Sequence, residues 1–279
     1  MRIEKARRSP RWLAVALASA LLGSGCATPP PADDPDAVAA FREANDPYEP
    51  LNRQMFEVNM FLDRVVLKPV AYVYKEAVPP PAQSWVSNAL NNFRSPIVLI
   101  NDLLQGEFGR ANNTFLRLMM NTGFGLGGIL DIATEFGIPD HEEDFGQTLA
   151  VYGVGEGPYL VLPLLGPSNP RDLAGFVVDT AFDPSTYIKY VAGVDSFGPS
   201  KFAGSAVSGR AQRYDQINEL QASSLDFYAT VRSLYRQKRN DEIRNGRPSL
   251  ARQTWEHEPA AEAAEAVPAP MANKGPNEQ

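Results

Sequence analysis

Residues 144–172 read DFGQTLAVYGVGEGPYLVLPLLGPSNPRD, and the fold turns on how the second half of that stretch is accommodated. From Pro158 to Pro170 there is no charge, so the segment is oily enough for a core strand or a membrane, yet it carries four prolines and a glycine. Proline has no N–H to give a sheet and breaks a helix interior, so neither regular element holds the whole run. Ahead of it, Gly153, Gly155, Gly157 and Pro158 suit a tight hairpin-like loop with φ > 0 positions that β-branched residues resist. A second uncharged run of the same length, LMMNTGFGLGGIL from Leu118 to Leu130, is also broken by glycines. Both fall short of the ~20 residues a spanning helix needs. Ordinary buried core is one reading of such runs. A loop packed beside or lining a cavity, in a protein sunk partway into a bilayer, is the other, because irregular backbone at membrane depth must be shielded by protein or line wet space.

Outward from these runs the dominant period is helical. Leu51, Met55, Val58, Leu62, Val65 and Pro69 keep one face apolar until Pro69 bends or ends the helix. Pro79–Pro81 start a new element, AQSWVSNALNNF, followed by a second short one in PIVLINDLLQG. EFGRANNTFLRLMMNTG gives another helical stripe through Phe108, Ala111, Phe115, Leu118 and Met119. The longest element is expected from Ser208 to Asn245, with Gly246 and Pro248 as its stop. Strand-type alternation never persists, so the class is mainly α.

The ends of the chain add a compartment. MRIEKARRSPRWLAVALASALLGSGC places four arginines and a lysine before a short apolar run closed by small residues, the pattern of a secretory signal. The chain's only cysteine, Cys26, stands just after that run and has no partner for a disulfide. The segment resembles a bacterial lipoprotein signal, which implies a diacylglycerol and an N-acyl chain on Cys26, and Ala27 after it implies the outer membrane. A plain export signal with an incidental cysteine is the blander reading. Removing residues 1–25 takes five basic residues and Glu4 from totals of 26 and 33, leaving 21 against 32 and a formal charge of −11. Such a balance disfavours nucleic acid as a partner, which needs clustered Lys and Arg. Residues 26–45 read as the acylated cysteine and a Pro/Asp/Ala-rich tether, 46–246 as the folded unit, and 247–279 as a disordered tail.

Three blocks carry a more specific resemblance: NDPYEPLNRQMFEVNMFLDRVVLKPVAYVY, VPPPAQSWVSNALNNFRSPIVLINDLLQGEFGRANNTFLRLMMNTGFGLGGILDIA, and the opening DFGQTLAVYGVGEGPYLVLPLLGPSNPRD. Together they resemble the MlaA (VacJ) family of outer-membrane lipoproteins. The resemblance implies a ring-like bundle of amphipathic helices partly embedded in one leaflet, with a central amphipathic channel. It also implies binding to trimeric porins and delivery of misplaced outer-leaflet phospholipid to a periplasmic carrier. In that setting Gly123, Gly125, Gly127 and Gly128 form a candidate channel junction, with close helix packing as the alternative, and Gly153, Gly155, Gly157 and Pro158 a candidate gating loop, with a surface turn as the alternative. The lipid is a transient passenger, and no cofactor or metal is expected.

Rival chemistries are weaker. Gly123–Gly128, GFGLGG, fits the GxGxxG dinucleotide fingerprint, but that motif needs a preceding strand and FLRLMMNT has helical spacing. The sequence His141-Glu142-Glu143-Asp144 lacks the second histidine of a zinc helix and reads as a solvated acidic loop. No GxSxG surrounds any serine, so the chain is read as a non-enzyme. A scaffolding envelope lipoprotein that moves no lipid is the remaining alternative.

Overall fold

The protein is described by a computed structural model that covers residues 38, 40–41, 44–187 and 196–247. Ten α-helices and one small hairpin are found among them: α1 Glu49–Leu62, α2 Lys68–Ala77, α3 Pro80–Leu104, α4 Phe108–Gly123, α5 Ile132–Glu135, α6 Phe145–Val151, β1 Leu160–Leu162, β2 Gly166–Ser168, α7 Pro170–Phe182, α8 Phe197–Gln212, α9 Tyr214–Ser223 and α10 Phe227–Ile243. The uncharged 158–170 run resolves into the hairpin. Leu160 pairs antiparallel with Ser168 and Leu162 with Gly166; the turn between the strands holds Leu164 at φ 65°, and Gly166 opens β2 at φ 78°. Each strand is only three residues long, and Pro167 sits in the middle of β2 opposite Val161.

Pro69 does not end its helix. Residues Asp63–Leu67 widen into π register, with the N–H of Lys68 bonding the Asp63 carbonyl, and the chain continues as α2. A proline cannot donate to the carbonyl four residues back and its ring crowds it, and an i→i−5 turn relieves both faults. The break expected after Phe93 is also absent. Helix α3 runs unbroken for 25 residues with Pro96 inside it, and burial of Ile97 and Val98 anchors the stretch just past the missing bond.

By contrast, the single helix expected over 208–245 is three. Arg213 leaves the helical region between α8 and α9, Ser224 is extended, and the Asp226 carboxylate caps α10 by accepting from the Ala229 N–H. The apolar period crosses these breaks and hides them. At the far end Asn245 and Gly246 both take positive φ, the stop expected there.

Contacts between elements close a ring. Helix α1 packs on β1, β2 on α10, α10 on α6, α6 on α3, α3 on α8, and α8 on α2 and the π turn that leads back to α1. A compact apolar core exists at one place only among the described residues, where Phe56, Tyr159, Val161 and Tyr228 meet under Met55, Val231 and Tyr235. Phe56 and Tyr228 meet edge to face at 5.4 Å. No helix among the described residues is long and apolar enough to cross a membrane.

Candidate functional site

Helix α3 brings its polar side chains to the inside of the ring. Asn88, Asn91, Arg94, Ser95, Asn101 and Asp102 recur at spacings of three, four and seven, a stripe along one face. A cavity of about 490 Å³ lies between this stripe, α7 and α8, and a second of about 300 Å³ lies between the hairpin, α7 and α10. Arg94, Glu142 and Asp179 line both, so the two spaces meet at these three residues.

The walls are held by buried ion pairs. Asp102, fully buried, accepts from Thr114 Oγ1 at 2.6 Å and lies 2.9 Å from His141 Nε2. Glu143, also fully buried, accepts from Arg110 Nη2 at 2.7 Å and Gln105 Nε2 at 2.8 Å. Thr148 donates to Asn101 Oδ1, and Asn101 Nδ2 donates to Asp179 at 3.0 Å. On the opposite wall Arg239 grips both oxygens of Asp144 at 2.7 Å and reaches Asp172, which also accepts from the Tyr235 hydroxyl at 2.6 Å. Across the ring Arg210 donates to Asp63 at 2.9 Å, tying α8 to the π turn.

These environments split the carboxyls. Burial pushes Glu143 and Asp179 above the usual carboxylate range. Burial also acts on Asp144, but the Arg239 bonds and charge outweigh it and hold that carboxyl low.

The outside of the ring obeys the reverse rule. Phe61, Val65, Val66, Val70 and Val73 along α1 and α2, Trp85 and Leu104 on α3, and Phe108, Phe115 and Met119 on α4 are exposed. Among the described residues seventeen polar or charged residues are buried against ten hydrophobic ones, the opposite of a soluble domain, where buried positions go mainly to Leu, Ile, Val and Phe.

The sequence-marked residues fall in different places. Cys26 lies outside the described residues. Gly123 ends α4, and the turn after it is wedged: a Cβ on Gly125 would meet the Leu130 carbonyl oxygen at 2.3 Å, and one on Gly128 would meet Asn92 Cβ on α3 at 2.4 Å. Gly127 has open space with φ 75°. No strand precedes this turn, so the dinucleotide reading of GFGLGG fails on its first requirement. Gly153 and Gly157 take positive φ, Gly155 does not, and Gly153 and Gly155 have nothing within 4 Å. The loop's far end is tied down where Asn45 Nδ2 donates to the Gly157 carbonyl at 2.7 Å and the Tyr159 N–H returns to Asn45.

One expectation is corrected. The run His141–Asp144 is no solvated loop, because His141, Glu143 and Asp144 are drawn into the pairs above and only Glu142 stays largely in water. The acids look surplus in sequence since their partners Arg110 and Arg239 lie far away along the chain. Sequence reasoning also passed over Arg94 and the stripe on α3, which the spacing of asparagine and serine could have revealed. It passed over Gly146 and Gly175 as well, where α6 and α7 cross so closely that a Cβ on Gly175 would meet the Gly146 nitrogen at 2.3 Å.

With this geometry in view, a model of the MlaA lipoprotein family matches residues 44–242. A Haemophilus influenzae protein called intermembrane phospholipid transport system lipoprotein MlaA is 36% identical over 85% of this chain and 92% of its own length. The Escherichia coli protein of the same name is 35% identical over 72% and 79%. A solved structure described as "Structural basis for maintenance of bacterial outer membrane lipid asymmetry" superposes with a TM-score of 0.64 at 34% identity, covering 71% of this chain and 98% of that one.

Proposed function

We propose a function from one premise: the chain belongs to the MlaA lipoprotein family. It is a lipoprotein of intermembrane phospholipid transport that removes misplaced phospholipid from the outer leaflet of the outer membrane and so maintains lipid asymmetry. The phospholipid crosses through the ring to a periplasmic lipid carrier. Cys26, bearing a diacylglycerol and an N-acyl chain, anchors it to the periplasmic leaflet, where two or three acyl chains hold far more firmly than one, and trimeric porins hold it in place.

The observation that carries this reading is the inverted body, apolar outside and charged within. A headgroup stripped of water in hydrocarbon pays a heavy desolvation cost. A wet, ion-paired interior inside an apolar rim removes that cost while leaving the acyl tails their own environment. The loop of Gly153, Gly155, Gly157 and Pro158, free at one end and tethered at the other, suits a gate over this space. The junction role fits Gly123 and Gly127, which have room around them, while the contacts at Gly125 and Gly128 favour packing.

Gentle purification in detergent followed by mass spectrometry tests the proposal. Phospholipid should leave the membrane with the protein; a scaffold that moves no lipid would carry none. Cys26→Ala should lose most outer-membrane retention, and wild-type fractionation of that variant would mean the ring alone suffices as the anchor.

A further inference from the structure

Most cations facing the ring interior are committed. Arg239 has oxygens of Asp144 at 2.7 Å, Arg110 has Glu143 at 2.7 Å, and Lys201 has Asp183 at 2.6 Å. Arg94 is different. It makes no hydrogen bond to a described residue, and its recorded carboxylate contact is loose, from Nη1 to Oε1 of Glu142 at 3.9 Å. Glu142 is equally uncommitted: its other contact, Lys238 Nζ, stands at 3.7 Å, and that lysine already holds Glu242 at 2.9 Å. Both residues line the two large cavities where they meet, with Asp179 beside them. A guanidinium facing a cavity with no donor committed to a described residue is matched by a phosphate, which takes it in two parallel bonds.

We propose that Arg94 and Glu142 form a headgroup site for zwitterionic, amine-bearing phospholipid, with the phosphodiester on Arg94 and the ammonium on Glu142. This rests on the transport reading above and names the lipid class it handles. The loose pair explains the preference. A zwitterionic head inserts between the two charges and gives each a partner of opposite sign, so no charge in the cavity loses its counterpart. An anionic head satisfies Arg94 but leaves Glu142 without a cation and brings further negative charge beside Asp179. Arg94 at 3.9 Å and Lys238 at 3.7 Å both stand beyond hydrogen-bond distance of Glu142, so its carboxylate is poised for release.

The test equilibrates delipidated full-length protein with detergent micelles containing equal amounts of phosphatidylethanolamine and phosphatidylglycerol, repurifies it, and measures bound lipid by mass spectrometry. Wild type should carry lipid enriched in phosphatidylethanolamine. Arg94→Ala should carry about tenfold less, the loss of one charge-assisted contact, and Arg94→Lys should restore most of it. If Arg94→Ala fails to accumulate, Arg94→Gln is read in its place. Glu142→Gln should keep the lipid and lose the enrichment, a split that a purely structural role for either residue would not give. Wild-type lipid content in Arg94→Ala, or wild-type enrichment in Glu142→Gln, would overturn the site while leaving transport intact. A wild type that carries no lipid would instead sink the transport reading on which the site depends. Inorganic phosphate alone should leave the melting temperature unmoved; stabilisation by phosphate that Arg94→Ala abolishes would reassign Arg94 to a free anion and overturn the lipid assignment.

Discussion

The two faces of helix α3 show the logic of the whole ring. Toward the interior, Asn101 and Asp102 are buried and bonded, while Trp85 and Leu104 on the other side stand exposed. In a soluble domain the first face would be the mistake and the second a liability. The same exchange holds on α4, which buries Thr114, Arg117 and Asn121 while exposing Phe108, Phe115 and Met119, and it teaches that this part of the ring is stabilised from within by ion pairs and finished from outside by its surroundings. Stability of the interior depends on matched charges, since a buried charge without its partner costs several kcal/mol. The exterior makes no such demand on the fold.

That contrast can be broken at its strongest point first. Arg239→Ala leaves Asp144 inside the wall without its cation and Asp172 with Arg171 alone, and should cost about 3–5 kcal/mol, seen as a large drop in melting temperature in detergent. Next, Gly125→Leu and Gly128→Leu force side chains into backbone and Asn92 and should cost about 1–3 kcal/mol or more, with protein level falling in proportion to function. Gly155→Ala, with open space around it, should stay within about 0.5 kcal/mol, which separates the packed glycine turn from the free one.

A third outcome concerns acid. Asp144 has a folded pKa below its unfolded value near 3.9, so its contribution is present above that value and is lost as pH falls through the folded one. Unfolding followed against pH should show stability declining below about pH 4, and Asp144→Asn should flatten that decline while lowering stability at neutral pH. The smallest effect belongs to the exterior. Phe61→Ser should leave the folding stability in detergent within about 0.5 kcal/mol of wild type, yet weaken retention of the unacylated protein on membranes. A large loss of folding stability there would mean the outer face is core after all.

Much of the helical plan was legible. The stripes on α1 and α4 follow from the spacing of large apolar residues, and the charge-free 158–170 run could be recognised as belonging to neither helix nor long strand. Local rules failed where tertiary context overrode them. Pro96 argued for two helices, but packing of Ile97 and Val98 carries one straight through. The apolar period of 208–245 argued for one helix, but Arg213 and the cap at Asp226 cut it twice. The interior was almost invisible for a different reason. A search for apolar faces discards a stripe of asparagines and serines, and the pairs that make the walls join residues as far apart as Asp144 and Arg239, which no local pattern connects.

The central claim is that water and headgroups occupy the inside of the ring while lipid covers the outside. Cys26 is the only cysteine in the chain, so in the acylated protein a newly placed cysteine is the sole free thiol. Asn91→Cys on the interior stripe and Val73→Cys on the outer face of α2 can then be labelled in intact membranes with a charged, water-soluble thiol reagent. The account predicts that Asn91→Cys reacts readily and that Val73→Cys reacts only after detergent is added. Equal labelling of the two before detergent, or protection of Asn91→Cys alone, would contradict it.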